Sequence, residues 1–190
     1  MTPTLSSPAA AAAAPLFAGC ETPAKAPAEA AIKAAEAALD AAKAEAQKFV
    51  PDQLKAAQDA VAAAKAKFTA QDYPAALTAG QEAVKKVGEL AMAAKAKKDE
   101  LSAAWKTAAA QMQTQMQAVN AKLAELAKAK KLPKGIDKNT VQQAKDGLAA
   151  LTKDWSDAAA KFGSGQLQEA VAAAKGLLPK AGELAAKLGI

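Results

Sequence analysis

Lys95-Ala-Lys-Lys-Asp-Glu-Leu101-Ser-Ala-Ala-Trp105 is the stretch on which the fold turns. Its four consecutive charges, Lys97 to Glu100, either end a helix or lie across one that continues. On both sides, apolar residues recur at alternating spacings of three and four, the pattern of helices packed side by side. Upstream the stripe is Val84, Val87, Ala91 and Ala94; downstream it is Leu101, Trp105, Ala108, Met112, Gln115, Val119, Lys122 and Leu126. The register survives the charged run, with Lys98 on the seam. After Pro74 no proline interrupts it, and after Gly88 no glycine does, until Leu132-Pro133-Lys134-Gly135. The spacing therefore predicts one helix from Tyr73 to Lys131, with a break at Lys97 to Asp99 as the alternative. At ~1.5 Å per residue the unbroken helix would be roughly 85–90 Å long.

Shorter helices flank it. Ile32, Ala35, Leu39, Ala42, Ala46 and Phe49 form a first stripe from Ala28 onward, closed by Pro51. Proline fits the first turn of the next helix, whose amides have no partner there in any case. That helix carries Leu54, Ala57, Val61, Ala64 and Phe68, and Gln71-Asp72 offers a turn with Asp72 as N-cap. Beyond the break, Asp137 reads as an N-cap for Val141, Ala144, Leu148, Leu151, Trp155, Ala158 and Phe162. Gly163-Ser-Gly165 makes a turn into Leu167, Val171, Ala174, Leu178, Ala181, Ala185 and Leu188. The expectation is an all-α, elongated antiparallel bundle of about five helices with one very long central helix. Many seam positions are alanine, so the helices can approach near the short end of the ~8–10 Å interaxial range.

A shift of 94 residues lines up two hairpins. Leu54 falls on Leu148, Val61 on Trp155, Lys67-Phe68 on Lys161-Phe162, and Tyr73 on Leu167; Gly88-Glu-Leu90 falls on an identical Gly182-Glu-Leu184. Two related hairpins joined by the second half of the long helix account for this pattern. Phe68-Thr-Ala-Gln-Asp-Tyr-Pro-Ala-Ala-Leu-Thr-Ala-Gly-Gln-Glu-Ala-Val84 resembles the turn and second helix of tetratricopeptide-like hairpins. From Ala28 onward the chain also resembles alanine- and lysine-rich bacterial lipoproteins that contain such hairpins. That resemblance implies no catalytic residues.

Composition removes several classes of function. Alanine supplies 59 of the 190 residues; histidine and arginine are both absent, so lysine provides all 25 basic groups against 19 acidic ones. Without histidine, and with one cysteine, the usual zinc and transition-metal sites cannot be built. Histidine-dependent nucleophilic triads are excluded for the same reason. Without arginine forks, specific reading of nucleic acid is not expected. Neither cofactor nor metal is expected, and an enzyme ranks last among the readings.

The lone cysteine ends Leu16-Phe-Ala-Gly-Cys20. Small residues before a cysteine near the N-terminus resemble the lipobox of bacterial lipoproteins. The resemblance implies lipidation of Cys20, which becomes the first mature residue. Residues 1–19 would then be a signal peptide, with Ala9 to Ala14, Leu16 and Phe17 as its apolar part. Met1 to Pro8 carries no positive charge, so this reads as the end of a signal peptide whose start lies upstream. Residues 20–27 read as a lipid-attached tether, residues 28–132 as a first hairpin with the long linking helix, and residues 133–190 as a second hairpin. The alternative, ranked below the lipobox, is a disordered Ala/Pro tail with an incidental cysteine.

Other residues invite chemistry less strongly. Trp105 and Trp155 sit on their stripes, where packing explains them better than ligand stacking. Asp154 and Asp157 read as a solvated helix face, and Met112 with Met116 as core filling. Two lysine clusters, Lys95/Lys97/Lys98 and Lys128/Lys130/Lys131 followed by Lys134, could attract anionic lipid or nucleic acid through nonspecific charge. Solvated surface is their plainer reading. The leading expectation is a non-enzymatic lipoprotein of the bacterial cell envelope. It would face the periplasm, from the outer rather than the inner membrane, and act as a helical scaffold, spacer or protein-interaction module, with other envelope proteins as its partners. The alternative is a cytosolic Ala/Lys-rich nucleic-acid-associated protein, against which stand the interleaved acidic residues. A membrane binder that opens its hairpins is a third reading, weakened by its alanine-heavy apolar faces.

Overall fold

The computed structural model describes residues 23–190. They form five helices: α1 (Lys25–Phe49), α2 (Pro51–Thr69), α3 (Tyr73–Lys128), α4 (Lys138–Gly163) and α5 (Leu167–Lys187). The long helix is unbroken through Lys97 to Glu100. Its 56 residues make a spine of about 84 Å. It ends three residues before the expected Lys131, and residues 129–137 are irregular. At the other end, α1 begins at Lys25, so Lys25-Ala-Pro27 of the expected tether lies in its first turn.

Two three-helix units stack along this spine and share it. In the first, α1 and α2 pack on the early part of α3 around Leu54, Val61, Val87 and Leu90, with alanine filling most remaining core positions. In the second, α4 and α5 pack on the later part of α3 around Trp105, Met112, Leu151, Val171 and Leu177. Phe49, the last residue of α1, reaches into this second core, so the apolar interior runs on between the units. Farther out, Val119, Leu123 and Leu126 of α3 meet Leu148, Leu184 and Leu188.

The connections follow the sequence closely. Val50 alone links α1 to α2, with Pro51 at the first helical position. Asp72 caps α3 by accepting from the Ala75 amide at 3.2 Å. Asp137 caps α4 by accepting from the Thr140 amide at 2.6 Å and the Thr140 hydroxyl at 2.8 Å.

The two hairpin turns repeat hydrogen bond for hydrogen bond. In the first, the amides of Ala70, Gln71 and Asp72 donate to the carbonyls of Ala66, Phe68 and Lys67 at 3.0 Å each. In the second, Ser164, Gly165 and Gln166 donate to Ala160, Phe162 and Lys161 at 3.0, 3.0 and 2.9 Å. Each of these residues lies 94 positions beyond its counterpart. The left-handed residue also repeats: Gln71 has φ +62° and Gly165 has φ +81°.

The stripe on α3 needs correction in detail. Its buried residues before the charged run are Ala76, Gly80, Ala83, Val87, Leu90 and Ala94. Val84 and Ala91, expected on the seam, are exposed, because α1 and α2 approach α3 from two sides and the apolar face is centred between them. Lys98 is likewise exposed, at the edge of the seam, where it pairs with Glu45 of α1. Leu123 and not Lys122 occupies the core near the far end, and Lys122 pairs with Glu125 at 3.0 Å. Pro179 lies inside α5 on its exposed side, as does Lys175, whose carbonyl a proline at this position cannot serve.

Candidate functional site

Of the residues singled out in the sequence, Cys20 lies outside the described region. The aromatic pair is structural. Trp105 is buried and stacks on Trp155 (ring centroids 4.8 Å apart, planes at 5°) and on Phe162 (5.0 Å, 12°). Met112 is fully buried, and the half-buried Met116 joins the two neighbouring clusters of the second unit. Asp154 and Asp157 are exposed on α4, on either side of Trp155. Gln115, expected on the seam, buries its Oε1 without a hydrogen-bond partner among the described residues.

The two lysine clusters part company here. Every member of the first is matched by a carboxylate: Lys95 with Asp99 at 2.7 Å, Lys97 with Glu100 at 2.9 Å, and Lys98 with Glu45. The Asp99 hydrogen bond holds the Lys95 ammonium above its ordinary range, and the same contact lowers Asp99. The second cluster has no such neighbours. Among the described residues, Lys128, Lys130, Lys131, Lys134, Lys138 and Lys145 form no ion pair.

These six lysines fall within residues 126–145, where Asp137 is the one carboxylate; Glu125 and Asp146 border them, Glu125 paired with Lys122 and Asp146 accepting from Gln142. The charge of Asp137 is engaged at the α4 cap, where the Thr140 amide and then the Thr140 hydroxyl hold the carboxyl below its ordinary range. The α4 N-terminus adds its own partial positive charge. The result is a concentrated positive field at one pole of the rod.

That field surrounds a groove of about 600 Å³ where α3 hands over to α4. Lys130, Lys131, Lys138 and Lys145 rim it, and Leu126, Leu132 and Val141 supply apolar lining. Leu132 and Ile136 keep the loop against the bundle end by packing on the cluster around Leu126 and Leu188. Sequence reasoning marked Lys128, Lys130, Lys131 and Lys134 as a cluster but missed Lys138 and Lys145. Their membership depends on α4 folding back beside the end of α3.

The opposite pole carries the start of the described chain. Lys25 Nζ lies 6.0 Å from the ring centroid of Tyr73, the first residue of α3, and Tyr73 meets Phe68 edge to face at 5.2 Å. The beginning of α1 and the lysine groove are therefore separated by the length of the spine. Comparison of the chain with protein-family models, with curated proteins and with solved structures gave no match. Among the described residues, no helix is long and apolar enough to cross a membrane.

Proposed function

We propose that this protein is a non-enzymatic, lipid-anchored spacer of the bacterial cell envelope. It would be held by acyl chains on Cys20 and face the periplasm. The observation that supports this reading is polar layout: α1 starts five residues after Cys20 and lies beside the beginning of α3. An anchor at Cys20 would hold the rod by one pole and carry the other up to about 84 Å away. A continuous helix suits such a role, because its backbone hydrogen bonds span both units without a joint.

The test is metabolic acyl labelling in a diderm bacterium, with the gene expressed from its native upstream region. The expected result is a labelled, membrane-associated protein, with loss of label in Cys20→Ser. Label retained in the variant, or an unlabelled soluble parent, overturns the anchor.

A further inference from the structure

We infer that the lysine-rimmed groove at the α3–α4 connection is a docking site for an anionic phospholipid surface. Four features of the site lead there. The rim lysines Lys130, Lys131, Lys138 and Lys145 have no ion-pair partner among the described residues, whereas the Lys95/Lys97/Lys98 cluster is paired throughout. The groove combines this charge with apolar lining from Leu132 and Val141, matching a phosphodiester headgroup above an acyl boundary. The site is at the end of the long helix, where α3 hands over to α4 and the pole opposite the start of α1 begins. Lysine also acts as a point charge, sufficient for headgroups presented in no fixed geometry.

Other anionic partners fit less well. Protein interfaces concentrate their binding energy in arginine and aromatic anchors and are depleted in lysine. This groove has neither kind of anchor. Single-stranded nucleic acid is held by stacking on aromatic rings, which the groove also does not offer. Duplex phosphates would use the lysines but leave Leu132 and Val141 unused.

The inference is independent of lipidation at Cys20. It is tested on the full chain carrying Cys20→Ser, which removes any acyl anchor. The measurement is flotation with vesicles of two parts phosphatidylcholine to one part phosphatidylglycerol, against vesicles of phosphatidylcholine alone. Binding is expected to the anionic vesicles only and to weaken with added salt. Replacing Lys130, Lys131, Lys138 and Lys145 together by Gln should lower the partition coefficient at least about tenfold. Replacing the exposed, unpaired Lys43, Lys106, Lys153 and Lys175 removes the same charge elsewhere and should lower it less than about threefold. Circular dichroism checks that both variants keep the parent's helicity. Leu132→Ser should weaken vesicle binding while leaving affinity for a short DNA duplex unchanged. Equal losses in the two lysine variants would reduce the effect to net charge and overturn the site. Vesicle binding insensitive to Leu132→Ser, with duplex binding at least as tight, would overturn the membrane in favour of a polyanion.

Discussion

The hairpin α2–α3 and the hairpin α4–α5 close on the same turn, yet they fill their interiors differently. At matched positions 94 residues apart, the first has Ala57, Gly80, Ala83 and Ala94 where the second has Leu151, Ala174, Leu177 and Leu188, all of them buried. Val61 is matched by Trp155. The first unit offsets its small side chains by bringing helices closer: a Cβ added at Gly80 would stand 3.0 Å from the Cβ of Ala31 in α1. The second fills its interior with rings and leucines at these positions, although its buried Ala181 matches Val87. The first copy thus closes against α1 by backbone approach, and the second reaches close packing by side-chain volume.

The most disruptive way to break this comparison is Trp105→Ala. The ring is buried and stacks on Trp155 and Phe162, in the same cluster as Phe49 of α1, so its removal opens the second core. A loss of about 3–5 kcal/mol in urea unfolding is expected, in line with other buried aromatic truncations. The near-ultraviolet dichroism of the stacked tryptophans should disappear with it. A loss under about 1 kcal/mol would mean that the second unit does not depend on ring volume.

Gly80→Ala tests the complementary claim for the first unit. Alanine gains up to about 1 kcal/mol of helix propensity over glycine. The new methyl, however, meets Ala31 Cβ at 3.0 Å and the Ile32 backbone nitrogen at 3.4 Å, so α1 itself must shift. Overpacking of this kind costs about 1–3 kcal/mol, and the expected net is a loss of roughly 1 kcal/mol. A gain in stability would show that α1 is free to move and that close approach is not what completes this core.

The turns allow a reciprocal swap of smaller effect. Gln71 occupies a left-handed position that its counterpart Gly165 takes without a side-chain penalty. Gln71→Gly is expected to stabilise by up to about 1 kcal/mol, and Gly165→Gln to destabilise by a similar amount. Thermal melts of the two single variants decide it. Shifts of the same sign would mean that the repeated hydrogen bonds do not impose the same backbone on both turns.

The helix order, the caps and the repeat were legible because each rests on local chemistry: Pro51 at a helix start, Asp72 and Asp137 as N-caps, and glycine in the second turn. The continuity of α3 was legible because its period carries through the charged run. The centre of the buried face was not. Val84 and Val87 are equally apolar, and only the approach of α1 and α2 from two sides decides that Val87 is buried and Val84 exposed. The groove was half legible. Its α3 lysines are adjacent in sequence, whereas Lys138 and Lys145 join them only through the path of residues 129–137. Whether a lysine is neutralised also depends on tertiary neighbours: Lys98 meets Glu45, 53 residues away.

The two cap aspartates give the finest comparison, and pH probes the one that caps α4 beside the groove. Asp137 accepts from both the amide and the hydroxyl of Thr140, whereas Asp72 faces Ala75 and accepts from its amide alone. The Thr140 contacts favour the ionised form of Asp137 and hold it below the ordinary value of 3.8. A carboxyl lowered on folding adds stability that is present above its unfolded value and is lost as pH falls through the folded one. The α4 cap should therefore persist at neutral and mildly acidic pH and weaken only below about 4. The Thr140 amide proton resonance reports this directly, with a titration midpoint expected below 3.8. Asp137→Asn keeps a cap acceptor without the titrating charge, so its Thr140 resonance should stay flat over the same range. A midpoint at or above the ordinary value in the parent would mean that Thr140 does not hold the carboxylate. The charge of Asp137 would then be free to offset the lysines of the neighbouring groove.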